Sequence, residues 1–234
     1  MRSIRVLWAL VVAGTALAVA APAGGANECD GLMVCVPVAG PWVVVPASTT
    51  VPRRSVEYQL TCPRGYVVGG LDARLSVRGI DVGFIGALGS PVNPGITTSR
   101  SAVFLGTYVG RSDSAPTFRP FIGCMPSAGG GSRVQTSVSQ LRPGRPMTRR
   151  VKLVRVRPGA TTVVQRCASG ERLVGGSFAF GFSMRTPPSA SLVRSISGSQ
   201  TLSAERIVVR VRGDAELAGV RATVQVHALC SRSQ

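Results

Sequence analysis

The 234-residue chain has little of what catalysis usually draws on: one histidine, His227, one lysine, Lys152, and ten carboxylates against 27 basic residues. A Ser-His-Asp site has only His227 to act as base, and that residue lies in an alternating strand pattern rather than in a loop gathered around a serine. Hydrolysis by paired carboxylates needs two acids in one cleft. Here the acids are scattered, with Asp72, Asp81 and Asp113 the only ones worth considering for such a pocket. With no C-x-x-C pair and a single histidine, a zinc site lacks ligands. Gly69-Gly70 and Gly175-Gly176 lack the G-x-x-x-x-G-K-S pattern and following helix of a phosphate loop, and read instead as a bulge or a close backbone approach. Aromatics make up 5% of residues, too few for base-stacking platforms, and no recognition-helix pattern occurs. The sequence therefore predicts no enzyme, no cofactor, no metal and no dedicated nucleic-acid reader.

What is present begins with a leader. Arg2 and Arg5 precede an apolar run from Val6 to about Val19, then small residues and Ala-Pro-Ala23. This is the pattern of a secretory signal peptide, residues 1–23, with Ala20 and Ala26 as rival cleavage positions. The run is short for a bilayer span and no second one follows, so no transmembrane segment is expected after cleavage. Six cysteines beyond the leader imply three disulfides in an oxidising compartment, secreted or at the cell surface.

Six cysteines allow fifteen pairings, but an internal repeat narrows them. Cys62-Pro-Arg-Gly65-Tyr-Val-Val68-Gly69-Gly70 returns as Cys167-Ala-Ser-Gly170-Glu-Arg-Leu-Val174-Gly175-Gly176. Each copy closes on a second cysteine, Cys124 or Cys230, after spans of 62 and 63 residues, so the offset passes from 105 to 106, with the insertion placed near the glycine pair. Symmetry favours Cys62–Cys124 and Cys167–Cys230, leaving Cys29–Cys35 as a local loop. The organisation expected is a β module over 24–126, a Gly/Ser linker over 127–140 and a second module over 141–234. The C-x-x-G…V-G-G…C pattern resembles modules of secreted proteins from GC-rich actinobacteria and covers most of the chain; the resemblance implies no activity.

Val, Ile and Thr are abundant and turn residues recur every eight to twelve positions, so the fold class expected is all-β, two tandem antiparallel sandwich-like modules. Strands are expected near 42–46, 55–61, 66–77, 79–87, 100–109 and 116–124, and again near 150–157, 160–166, 171–182, 190–197, 205–212 and 219–230. In the last strand Val220, Ala222, Val224, Val226, Ala228 and Cys230 share the core face, which sends Gln225 and His227 outward. Ile207, Val209 and Val211 likewise place Arg206, Arg210 and Arg212 outside. A hairpin between these two strands would gather those arginines with Arg221, Gln225 and His227 on one surface. Matching positions in the first module, at the same offset, give an apolar outer face of Ala102, Phe104, Tyr108 and Phe121.

The formal charge is +17, falling by two to +15 when Arg2 and Arg5 leave with the leader. Codon bias of a GC-rich genome is one explanation; an anionic partner is the other. No acid occurs from Ser114 to Gly170, while Arg142, Arg145, Arg149, Arg150, Lys152, Arg155 and Arg157 crowd into sixteen residues. Val151 and Leu153 against Val154 and Val156 suggest a bulge at Leu153-Val154. Guanidinium groups take phosphate, sulfate and carboxylate in bidentate fashion. The function expected is an exported, non-catalytic protein binding anionic cell-envelope polymers through Arg206, Arg210, Arg212 and Arg221, with Arg149, Arg150 and Arg155 nearby. An interaction role for the apolar face of the first module, and a secreted hydrolase, are the alternatives.

Overall fold

The computed structural model describes residues 27–47, 53–85, 100–110, 115–126 and 147–232. The leader, the linker, Asp113, Arg142 and Arg145 lie outside the described residues. Among the described residues thirteen strands run in chain order: β1 (Val36–Ala39), β2 (Trp42–Val44), β3 (Ser55–Thr61), β4 (Tyr66–Leu75), β5 (Ile80–Ile85), β6 (Ser101–Tyr108), β7 (Thr117–Pro126), β8 (Met147–Val156), β9 (Gly159–Arg166), β10 (Glu171–Phe182), β11 (Ile196–Leu202), β12 (Arg206–Gly213) and β13 (Ala222–Arg232). One short helix, α1 (Ala190–Arg194), stands where the first part of a strand over 190–197 is expected. The Ser189 side chain caps it by accepting the Leu192 N–H, and Leu192 turns into the core.

All pairings among these strands are antiparallel. A seven-stranded sheet runs β1-β7-β2-β10-β13-β8, with β4 on the other edge of β7, and two three-stranded sheets, β3-β6-β5 and β11-β12-β9, pack against it. The three-residue β2 joins the halves, because Val43 pairs with both Phe118 of β7 and Gly181 of β10. Its alternation decides the architecture. Val43 faces a core with Tyr58, Phe104 and Phe118, whereas its neighbour Trp42 faces a second core with Phe182, Val209 and Val226. The two small sheets therefore lie on opposite faces of the long one.

Three disulfides tie these layers. Cys62–Cys124 joins the end of β3 to β7, Cys167–Cys230 joins the end of β9 to β13, and Cys29–Cys35 closes a short loop. In the chain-entropy treatment each long bridge stabilises by about 4 kcal/mol and the short one by about 2 kcal/mol. The C-x-x-G part of each repeat is a turn: the Tyr66 N–H bonds Pro63 O and the Glu171 N–H bonds Ala168 O, with Gly65 (φ 81°) and Gly170 (φ 77°) in the third position. That backbone conformation favours glycine, which explains the motif's spacing.

The pairing registers correct the alignment of the halves. Bulges fall between Val68 and Gly70 and between Leu173 and Gly175, so Gly69 corresponds to Val174 and Gly70 to Gly175. The Val-Gly-Gly triplets agree as letters but sit one residue apart in space. The offset stays at 105 through β6 and β12, since Cys62 N–H bonds Arg100 O as Cys167 N–H bonds Glu205 O. The extra residue therefore falls in the connection before β7 and β13, where Cys124 pairs with Val68 and Cys230 with Leu173. A slip of one residue reverses every facing along a strand. Ala102, Phe104 and Tyr108 accordingly lie in the core, not on an outer apolar face. Phe121 does lie on the other face of its sheet, 8% exposed, with the guanidinium carbons of Arg74 and Arg119 at 5.5 Å and 5.4 Å from its ring centre. The pairing of β8 with β13 runs unbroken from Met147 to Val156, so Leu153-Val154 is not a bulge.

Candidate anion-binding face and the buried polar junction

The outer face of the β11-β12-β9 sheet is built by strict alternation on its central strand. Ile207, Val209 and Val211 are 0–2% exposed and point into the core; Arg206, Val208, Arg210 and Arg212 point away from it. Pairing then sets the rows. Arg212 stands between Ser197 and Ala160, Arg210 between Ser199 and Thr162, and Val208 between Thr201 and Val164. At the end of the strand Arg206 stands opposite Arg166, with the Ser203 hydroxyl donating to the Arg206 carbonyl. None of these four arginines makes a side-chain hydrogen bond or ion pair among the described residues. Like charges directly opposite on a sheet oppose each other, so the Arg166–Arg206 pair is a local cost that an anion would remove. Beside it lies an open depression of about 380 Å³ lined by Arg166, Ser203, Ala204, Glu205 and Arg206.

The other expected arginines do not join this face. Arg221 and Arg155 are exposed, but β12 and β13 are not a hairpin: they belong to different sheets that face each other across the core. The connection from Asp214, with its helical turn Ala215–Leu217, carries the chain from one layer to the other. Arg149 bonds the Glu57 carboxylate at 2.5 Å, and Arg150 holds Glu171 through two nitrogens at 2.9 and 3.0 Å. Both are committed within the fold.

Gln225 and His227, expected on the surface, are 4% and 0% exposed. They are covered because the outer face of β13 receives the free edge of β3. The Gln225 carboxamide imitates a neighbouring strand: its Oε1 accepts the Gln59 N–H at 2.6 Å and its Nε2 donates to Gln59 O at 3.0 Å. His227 continues the chain of bonds, with Nε2 at 2.7 Å from Gln225 Oε1 and Nδ1 at 2.9 Å from Arg149 Nη1. Arg149 can only donate, so His227 is neutral with its proton on Nε2. Glu57 then accepts from Arg149 and from the Ser177 hydroxyl. Burial, and next the Arg149 charge, push the His227 pKa down from 6.5 to about 4, against the opposing pull of Glu57. Burial alone would raise the Glu57 pKa, but the bonds and charge of Arg149 and the Ser177 hydroxyl outweigh it, and the net shift is downward. Tyr58, also bonded to the Thr223 side chain, is pushed up to about 12 by burial.

The remaining candidates separate in space. Asp72 lies on β4 and Asp81 on β5, in different sheets, and the Asp72 carboxylate accepts the N–H groups of Asn27 and Ala73. Cys167, Glu171 and Cys230 cluster closely enough to suggest metal ligands, but both sulfurs are joined in the disulfide and Glu171 is held by Arg150. No helix among the described residues is long and apolar enough to cross a membrane. No protein-family model, curated protein or solved structure matches this chain.

Proposed function

We propose that this is an exported, non-catalytic binding protein whose two halves descend from one repeated module, and that it contacts an anionic polymer through the outer face of the β11-β12-β9 sheet. One observation carries the reading: Arg206, Arg210, Arg212 and Arg166 stand on one open face, flanked by serine and threonine hydroxyls and free of ion pairs among the described residues. Such donors suit phosphate, sulfate or carboxylate oxygens. Arg149 and Arg150 drop out of the site because Glu57 and Glu171 already hold them, and Arg155 and Arg221 contribute only to the general field. Three disulfides suit an oxidising, extracellular setting. The apolar-surface alternative loses its support, since Ala102, Phe104 and Tyr108 are core residues.

The test is retention on an immobilised polyanion across a salt series. Four contacts on a flexible chain give a slope of log K against log salt of about −3, because each neutralised charge contributes about −0.7. Changing Arg206, Arg210 and Arg212 to Ser should bring the slope to about −1. An unchanged slope in that variant would place the contacts elsewhere.

A further inference from the structure

The arginines of β12 are spaced, and the spacing selects among polyanions. On a strand, residues two apart point the same way, about 6.8 Å from each other. Outward positions 212, 210, 208 and 206 thus form a ruler of equal intervals, occupied by cations at every mark except Val208. Each interval of that ruler is six backbone bonds of extended chain. A phosphodiester polymer whose phosphates are separated by three carbons also repeats every six bonds, P–O–C–C–C–O. Polyphosphate repeats every two, and uronic-acid chains carry their carboxylates on rigid rings, whose spacing is set by the ring and cannot be extended to match the strand.

We propose that the outer face of β12 binds an extended polyol phosphodiester with three-carbon spacers, laid along the strand with phosphates at Arg212, Arg210 and the Arg166–Arg206 pair and one more above Val208 between the last two. This rests on the anionic-polymer reading above and names the chemistry of its ligand. Each phosphate meets a guanidinium beside a hydroxyl of β11 or β9 at the first two seats, Ser199 and Thr162 flanking Arg210 and Ser197 flanking Arg212. The phosphate above Val208 meets no arginine of β12 or β9, the Lys152 ammonium being bound to the Val164 carbonyl at 3.2 Å, and Val208 and Val164 present carbon to the polyol there. At the last seat Arg166 and Arg206 occupy paired positions and both line the 380 Å³ depression, where Glu205 is the one carboxylate of the lining that opposes an anion. Single-stranded nucleic acid has the same six-bond backbone repeat, but its bases need π-faces to stack on. The residues that form this face are Arg, Ser, Thr, Val and Ala only.

The experiment is a titration of the whole protein with four charge-matched oligomers at one salt concentration: glycerol phosphate, polyphosphate, polygalacturonate and oligo-dT. Glycerol phosphate is expected to bind at least tenfold more tightly than the other three. Val208→Arg, which fills the empty mark, should tighten glycerol phosphate severalfold while leaving polygalacturonate within a factor of two. Glu205→Gln should tighten it as well, and Arg210→Ser should weaken it about tenfold. All of these side chains but Val208 are exposed and Val208 is partly so, and circular dichroism confirms the fold of each variant. Equal binding of all four oligomers, reduced alike by Arg210→Ser, would overturn the spacing argument and leave the charge reading standing. Tighter binding of oligo-dT would overturn it in favour of nucleic acid. No binding of any oligomer at low salt would remove both.

Discussion

His227 makes the stability of this protein depend on pH between about 4 and 6.5. It is the only histidine; unfolded carboxylates titrate near 4 and the α-amino group near 8. In the fold His227 accepts from Arg149 and donates to Gln225, so a proton on Nδ1 would face a guanidinium and lose a bond. With a folded pKa of about 4 against 6.5 unfolded, the unfolded chain binds the proton more readily between those values. Stability is therefore complete above about pH 6.5 and is lost as pH falls towards 4. A tenfold difference in proton affinity between the folded and unfolded chain is worth about 1.4 kcal/mol, which gives a loss of about 2 kcal/mol by pH 5 and about 3 kcal/mol in full. Glu57 acts in the same direction lower down: its depressed pKa contributes stability above its unfolded value that disappears on further acidification. The assay is urea unfolding with disulfides intact, followed by the fluorescence of buried Trp42. At an m-value of about 2–3 kcal/mol/M the midpoint should fall by about 1 M between pH 7 and pH 4.5. His227→Gln should flatten that slope whatever its effect at pH 7. A wild-type midpoint that stays level from pH 7 to 5, or an unchanged slope in the variant, would refute the account of the junction.

Two further perturbations test the packing around that junction and at the other end of the molecule. Gln225→Leu strands the Gln59 N–H, the Gln59 carbonyl and the His227 Nε2–H; at about 1–3 kcal/mol for each buried unpaired group, a total loss of about 3–9 kcal/mol is expected in the same urea assay. Gly70→Ala would drive a Cβ into the Glu28 carbonyl oxygen, so the segment carrying Cys29–Cys35 must lift from β4. Limited proteolysis should then cut within residues 27–35 faster than in the parent, while the urea midpoint moves little.

Much of this fold is visible in the sequence, and the reasons for the exceptions are physical. The repeated cysteine spacing and the alternation in β12 and β13 are properties of the chain itself, so Cys62–Cys124 and the inward face of Val209 can be read from it. The outer face of β13 cannot, because what covers it is β3, more than 160 residues earlier in sequence. An alternating strand says which residues share a face; it is silent on whether the second face meets water or another layer. The one trace is composition: a histidine and a glutamine beside threonine form a polar stripe able to satisfy a strand edge. The misplaced apolar face has a different origin. Two matching Val-Gly-Gly triplets invite an insertion beside them, whereas the bulges at Gly69 and Val174 put the extra residue some forty positions later. Every outward position assigned on β6 is therefore inverted.

The corrected register also bears on the source of the charge. If a GC-rich codon bias alone supplied the arginines, corresponding outer positions of the two halves should carry them alike. They do not. At the offset of 105 that the backbone bonds fix, Arg206, Val208, Arg210 and Arg212 correspond to Ser101, Val103, Leu105 and Thr107. Where Arg166 faces Arg206, the first half places Thr61 opposite Ser101, with hydroxyls 2.9 Å apart in a neutral hydrogen bond. One sheet thus resolves the position with a mutually satisfied pair, and the other sets two cations against each other at a cost in stability. A genome-wide bias has no means of telling two equivalent strands apart. On the reading proposed above, a ligand that binds one face of one half distinguishes them, and its negative charge would offset the like-charge contact at Arg166 and Arg206.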